Sequence, residues 1–151
     1  MSNSRYIKQY NNRWFLLGLN NERKVITNIP LDRITGIYNI GILYKPTDIN
    51  FEEYFDDVIG VTINEAEIET IVLKFAPERY PYVVSKPLHG SSKFIDPENH
   101  LVEIKVIPNK ELEALIFSFG NQVEVMSPQW FREKIAEIAK GLAEIYSTSA
   151  Q

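Results

Sequence analysis

Short runs of strand-forming residues separated by tight polar turns fill the first forty residues, and apolar positions at helical spacing appear only later in the chain. Tyr6, Lys8 and Tyr10 alternate with Ile7 and Gln9, Asn11-Asn12 makes a turn, and Arg13 to Leu19 returns as a second strand. Asn20 to Arg23 supplies the next turn and Lys24 to Ile29 a third strand. Pro30 with Leu31-Asp32-Arg33 marks a corner, because proline has no N–H to give to a ladder. Thr35 to Leu43 reads as a fourth strand. Short strands joined by tight polar turns predict a strongly bent antiparallel sheet or small barrel. Asn50, with Glu53 three positions on, opens a short helix whose apolar side is Phe51, Tyr54, Phe55 and Ile59, placed to plug the barrel. A regular strand sends successive side chains to opposite faces, so only one of Trp14 and Phe15 can line a pocket while the other faces the core.

The polar run Asn64-Glu65-Ala66-Glu67 is the predicted boundary, dividing the chain into modules 1–63 and 64–151. Beyond it come strands over 68–75, 92–95 and 101–107, with a stretch interrupted by Pro77 and Pro81 between the first two. Asn109 caps a helix with Leu112, Leu115, Ile116 and Phe119 inward and Gly120 as its stop. Gln122 to Met126 is a strand, and Pro128 opens a last helix with Phe131, Ile135, Ile138, Leu142 and Ile145 on one stripe. Such a stripe is expected to pack on the module's own sheet. The order strand, helix, strand, strand, helix, strand is that of a ferredoxin-like sandwich with an added helix, making the chain α+β.

Composition narrows the function. The 151 residues include no cysteine and two histidines, which removes disulfides, a thiolate nucleophile and cysteine-based zinc sites, and suits a cytoplasmic protein. No secretory leader and no run of roughly 20 apolar residues is visible, so no membrane partner is expected. The net charge of −4 is unevenly spread. Residues 1 to 45 hold seven Lys or Arg against two acids, whereas residues 46 to 151 hold nine against eighteen. A basic first module facing an anionic partner is one reading of that asymmetry, and chance scatter is the other.

The candidate ligand-binding residues follow from that charge. Arg33 beside Asp32 is either a pair locking the corner or a ligand cation, and arginine suits phosphate because its planar fork donates two parallel hydrogen bonds. Arg13, Lys24 and Arg23 would extend a cationic rim beside Trp14 or Phe15. In the loop Lys86-Pro87-Leu88-His89-Gly90-Ser91, His89 and Ser91 are candidates for ligand contact. They are not expected to be a nucleophile and base, since residues two apart rarely align for proton transfer and no Gly-x-Ser-x-Gly elbow is present. Metal-ligand spacings are lacking, so neither a cofactor nor an enzymatic activity is expected.

Three motifs in order carry a family resemblance: Trp14-Phe15-Leu16, Leu31-Asp32-Arg33-Ile34, and the run Phe55-Asp56-Asp57-Val58-Ile59-Gly60-Val61. Together they resemble a WYL domain. The downstream module, including the 86–91 loop and the Ser127-Pro128-Gln129-Trp130-Phe131-Arg132 lead into the last helix, resembles the C-terminal extension of that domain. The resemblance implies an SH3-like or Sm-like barrel followed by a ferredoxin-like extension, found behind a helix-turn-helix domain in bacterial transcriptional regulators. It also implies an anionic effector, a nucleotide or nucleic-acid fragment, and adds Arg132 to the candidate ligand-binding residues. Phe15 stands where the family usually has Tyr, and Thr27 where an arginine is frequent.

The resemblance also implies that the family's first strand and helix-turn-helix domain lie outside these residues. An exposed sheet edge then makes a homo-oligomer the expected state, and DNA contact is expected only through the helix-turn-helix domain. The sequence therefore reads as the effector-sensing and oligomerising region of a regulator. A stand-alone module that binds single-stranded nucleic acid and a purely structural dimerisation unit are the alternatives.

Overall fold

The computed structural model describes residues 2–20, 22–41, 43, 49–62 and 66–148. The chain divides into two compact units, Met1–Ile63 and Asn64–Gln151.

The first unit is built on strands β1 (Ser2–Tyr10), β2 (Arg13–Asn20) and β3 (Val25–Pro30), paired antiparallel in the order β1-β2-β3. Asn11 and Asn12 join β1 to β2 with φ of 48° and 60°, the doubly left-handed turn that matches strand twist and that asparagine tolerates. This tight turn sets Tyr10 opposite Arg13 and Lys8 opposite Phe15. At the other end the side-chain oxygen of Asn20 accepts hydrogen bonds from the Glu22 and Arg23 N–H groups, and Lys24 closes the turn with φ of 57°. A single 3-10 turn, Leu31–Arg33, follows β3.

The strand expected over 35–43 does not form, for residues 34–41 and 43 carry no regular structure. Two local features compete with a ladder there. Gly41 has φ of +68°, and its N–H is taken by the Asn39 side chain at 2.9 Å. Ile37 and Tyr38 remain exposed as a result. The expected helix after Asn50 is also shorter than its pattern, a single turn α1 (Phe51–Tyr54). Its apolar side is still correct in burial, because Phe51, Phe55 and Ile59 are all buried with Leu17.

The second unit carries β4 (Glu69–Phe75), α2 (Tyr80–Ser85), β5 (Lys93–Asp96), β6 (Leu101–Val106), α3 (Lys110–Ser118), β7 (Val123–Ser127) and α4 (Gln129–Thr148). Its sheet runs β5-β6-β4-β7 with every neighbour antiparallel, the strand order of a ferredoxin-like sandwich. The α+β organisation expected from the sequence is therefore the one observed. Alternate residues Ile71, Leu73 and Phe75 of β4 and Val102, Ile104 and Val106 of β6 form the buried core with Val83, Leu112 and Phe131. Asn109 caps α3 by accepting the Leu112 N–H at 2.8 Å.

The last helix departs from expectation along its length. Phe131 is fully buried and Ile135 half-buried, but Ile138, Leu142 and Ile145 are exposed. The cause is a mismatch of lengths. Twenty residues of helix extend about 30 Å, whereas a five-residue strand such as β7 covers about 17 Å, so the sheet runs out beneath the stripe. Among the described residues no helix is long and apolar enough to cross a membrane.

Candidate functional site

Register decides which side chains of the first unit share a face. Cross-strand pairing places Tyr10, Lys8, Arg13, Phe15, Leu17 and Asn28 on one face and Ile7, Trp14, Leu16 and Ile29 on the other. Leu17 is 1% exposed, which makes the first face the core side, and Trp14 on the opposite face is 48% exposed. Trp14 and Phe15 are thus separated by the sheet. Arg13 and Phe15 share a face, with the guanidinium 6.0 Å from the ring centroid.

Arg13 is already engaged. Its Nε and Nη2 donate to the two Asp32 oxygens at 2.9 and 2.7 Å, a bidentate pair joining the start of β2 to the corner after β3. The hydrogen bonds raise the Arg13 pKa and, with the nearby charge of Arg33 adding a smaller pull, hold the Asp32 carboxyl below its ordinary range. Arg33 is exposed and makes neither a hydrogen bond nor an ion pair among the described residues. The structural pair at the corner is therefore Arg13 with Asp32, and Arg33 is the cation left over.

A further cation stands on the same face. The Lys8 Nζ lies 3.7 Å from the centroid of the Phe55 ring, where the ring's negative face attracts it. Burial lowers its pKa, and no carboxylate among the described residues pairs with it. Sequence reasoning passed over Lys8, although its parity with Tyr6 and Tyr10 was enough to put it on their face. Lys24 and Arg23 do not join this group. They sit at the opposite end of β2, about 23 Å from Arg13 at ~3.3 Å per residue.

The remaining candidates belong to the second unit, where each holds the fold. Ser91 lies two residues before Lys93, which pairs with Glu103, and it therefore falls opposite Lys105. Its hydroxyl accepts the Lys105 N–H at 2.8 Å and donates to the Lys105 carbonyl at 3.0 Å, replacing a backbone partner at the end of the ladder. His89 Nδ1 is 2.8 Å from that hydroxyl and 3.2 Å from the Ser91 N–H. Arg132 donates to the Val125 carbonyl at 2.6 Å and pairs with Glu124 at 2.7 Å, clamping α4 onto β7. The buried Glu113 carboxylate is met by Lys110 at 2.9 Å and Lys134 at 2.6 Å. Burial alone would raise its pKa, but the two lysines outweigh this and lower it.

Among solved structures, one that the chain resembles is proteasome accessory factor B/C (PafBC) of Arthrobacter aurescens, at 19% identity and a TM-score of 0.36. The match covers 89% of this chain and 21% of that one, so the chain spans about a fifth of PafBC's length. No curated protein matches the sequence. A family model does, for residues 67–143 fit the WCX domain. That span takes in the ferredoxin-like sheet, its helices and most of α4, and exceeds half of the 151 residues, so the chain belongs to the WCX domain family.

Proposed function

We propose that this chain is the effector-sensing and oligomerising part of a WYL-type transcriptional regulator in the cytoplasm, binding an anionic ligand without catalysing a reaction. Membership of the WCX family supports the regulator reading, since this domain accompanies WYL domains, which the first unit resembles. DNA contact in such a regulator falls to a helix-turn-helix domain. The observation that carries the ligand reading is the grouping at one end of the first sheet of Lys8 over Phe55, Arg13 near Phe15 and Arg33 in the corner that follows β3, with the Asp32 carboxylate engaged by Arg13. Lys8 over the Phe55 ring and the exposed Arg33, neither with a bonded counter-ion among the described residues, suit a phosphate-bearing effector.

Calorimetric titration with ADP and with a five-residue oligothymidylate tests this. Arg33→Ala is expected to weaken ADP about tenfold, as one lost charge-assisted hydrogen bond should. Equal affinity in Arg33→Ala and Lys8→Met would reject the site. Salt separates the runner-up, a single-strand binder, which the exposure of Trp14 favours as a stacking platform. Strand binding should fall steeply with salt through counterion release, and a single small anion only shallowly.

The oligomer is assigned to α4. Ile138, Leu142 and Ile145 repeat at spacings of four and three, and Gly141 lies beside them with nothing within 4 Å of where its Cβ would be. A glycine inside an exposed helix costs about 1 kcal/mol against alanine, and close approach by the same helix of a second copy gives it a purpose. Leu142→Glu is expected to convert a dimer to a monomer in light scattering, and an unchanged mass removes α4 from the interface.

A further inference from the structure

A cavity of the first unit is lined by none of the residues of the cation cluster. A cleft of about 250 Å³ lies along β3, an outer strand of the sheet among the described residues. Leu17, Ile26 and Val61 form its apolar walls, and Thr27, Asn28, Tyr54 and Thr62 supply its polar groups. No lining residue is charged, and burial pushes the Tyr54 phenol further from ionisation. Such a cleft has nothing to offset the desolvation of an ion. It is also smaller than the roughly 300–1,000 Å³ of pockets for drug-sized ligands, which limits the occupant to about one ring system.

The polar groups define an edge to be read. Asn28 donates from Nδ2 to the Val61 carbonyl at 2.9 Å, which fixes the plane of the amide and leaves its oxygen and its second N–H available. The half-buried Tyr54 hydroxyl has no hydrogen-bond partner among the described residues, its contacts being the Phe51 and Phe55 rings. An amide presenting an acceptor beside a donor, with a phenol that can be either, matches the hydrogen-bonding edge of a heterocycle. Asn28 is paired with Leu17, one alternation of about 7 Å along the same face from Phe15 and its partner Lys8.

We propose that this cleft binds the uncharged ring of a nucleobase, held at its edge by Asn28 and Tyr54 between the side chains of Leu17, Ile26 and Val61. The proposal deepens the effector reading above and rests on it for the nucleotide class, but the cleft and the cation cluster can fail separately.

The test is a titration of the full chain with adenosine, guanosine, cytidine and uridine, followed by the NMR signals of the Asn28 side-chain amide. At least one nucleoside is expected to shift them, and Tyr54→Phe, which removes a single oxygen, is expected to weaken that nucleoside about fivefold. If none moves the Asn28 amide at millimolar concentration, or if Tyr54→Phe binds as tightly as wild type, the cleft is not the base site. ADP that binds with dependence on Arg33 yet leaves the Asn28 amide unshifted overturns the cleft and keeps the effector reading. Nucleoside binding at Asn28 by a chain indifferent to Arg33→Ala keeps the cleft and overturns the anion reading.

Discussion

The two units use their charges in opposite ways. In the second unit the buried Glu113 carboxylate meets Lys110 and Lys134, Arg132 ties α4 to β7, and even the Ser91 hydroxyl is committed to both backbone groups of Lys105. In the first unit Lys8 rests on an aromatic ring and Arg33 faces solvent, and among the described residues neither has a counter-ion and the Tyr54 hydroxyl lining the cleft has no hydrogen-bond partner. Uncommitted polar groups cost stability, and a thin three-stranded sheet has little surplus to offset them. In the function proposed above, ligand binding is the gain that explains their retention in the first unit. The second unit is organised as a support.

The largest test of this contrast is the second core. Phe131→Ala, which empties a fully buried site where α4 meets the sheet, is expected to cost about 3–5 kcal/mol in denaturant melts. A cost below about 1 kcal/mol would break the claim that this unit is the support. Glu113→Gln comes next, at about 1–2 kcal/mol, between the values for exposed and for buried pairs because the carboxylate is buried but both lysines are exposed. The sign of its pH dependence follows from the lowered pKa. The stabilisation is complete above the ordinary carboxylate range and disappears as pH falls through the depressed value of Glu113, so the variant should show a flatter acid limb below about pH 4.

Ser91→Ala is expected to cost about 1 kcal/mol, the net worth of hydrogen bonds that water can partly replace, and faster amide exchange at Lys105 is its local signature. Unchanged exchange there would return His89 and Ser91 to the list of groups available to a ligand. The smallest stability effects belong to the first unit. Arg33→Ala should stay within about 0.5 kcal/mol, and Lys8→Met should match or exceed wild type because it removes a desolvated amine. A loss above about 1 kcal/mol in either would show that the cation serves the fold, and the contrast between the units would weaken.

Most strands were legible because their signals are local. The turn-bounded strand runs of β1 to β3 and the apolar parity of β4 and β6 depend on neighbouring residues alone, and so does the Asn109 cap. The Asn11-Asn12 turn was equally readable, since two left-handed residues in succession are a property of the turn itself. The segment over 35–43 misled for the same reason. Its composition suits a strand, but a strand also requires an edge to pair with, and a local Asn39–Gly41 hydrogen bond competes with one. The stripe of α4 was read correctly as amphipathic, yet spacing says nothing of how far the sheet beneath it extends.

The amino-acid sequence by itself determined most of the elements, the strand order of a ferredoxin-like second unit and the excess of cations in the first, because periodicity, capping and charge are written residue by residue. Only the tertiary structure decided which cations meet. It paired Arg13 rather than Arg33 with Asp32, set Lys8 over Phe55, carried Lys24 to the far end of the sheet and turned Arg132 and Ser91 into parts of the scaffold. Those outcomes depend on register and on contacts between residues distant in the chain, and the free energy of such contacts exists only once the chain has closed around them.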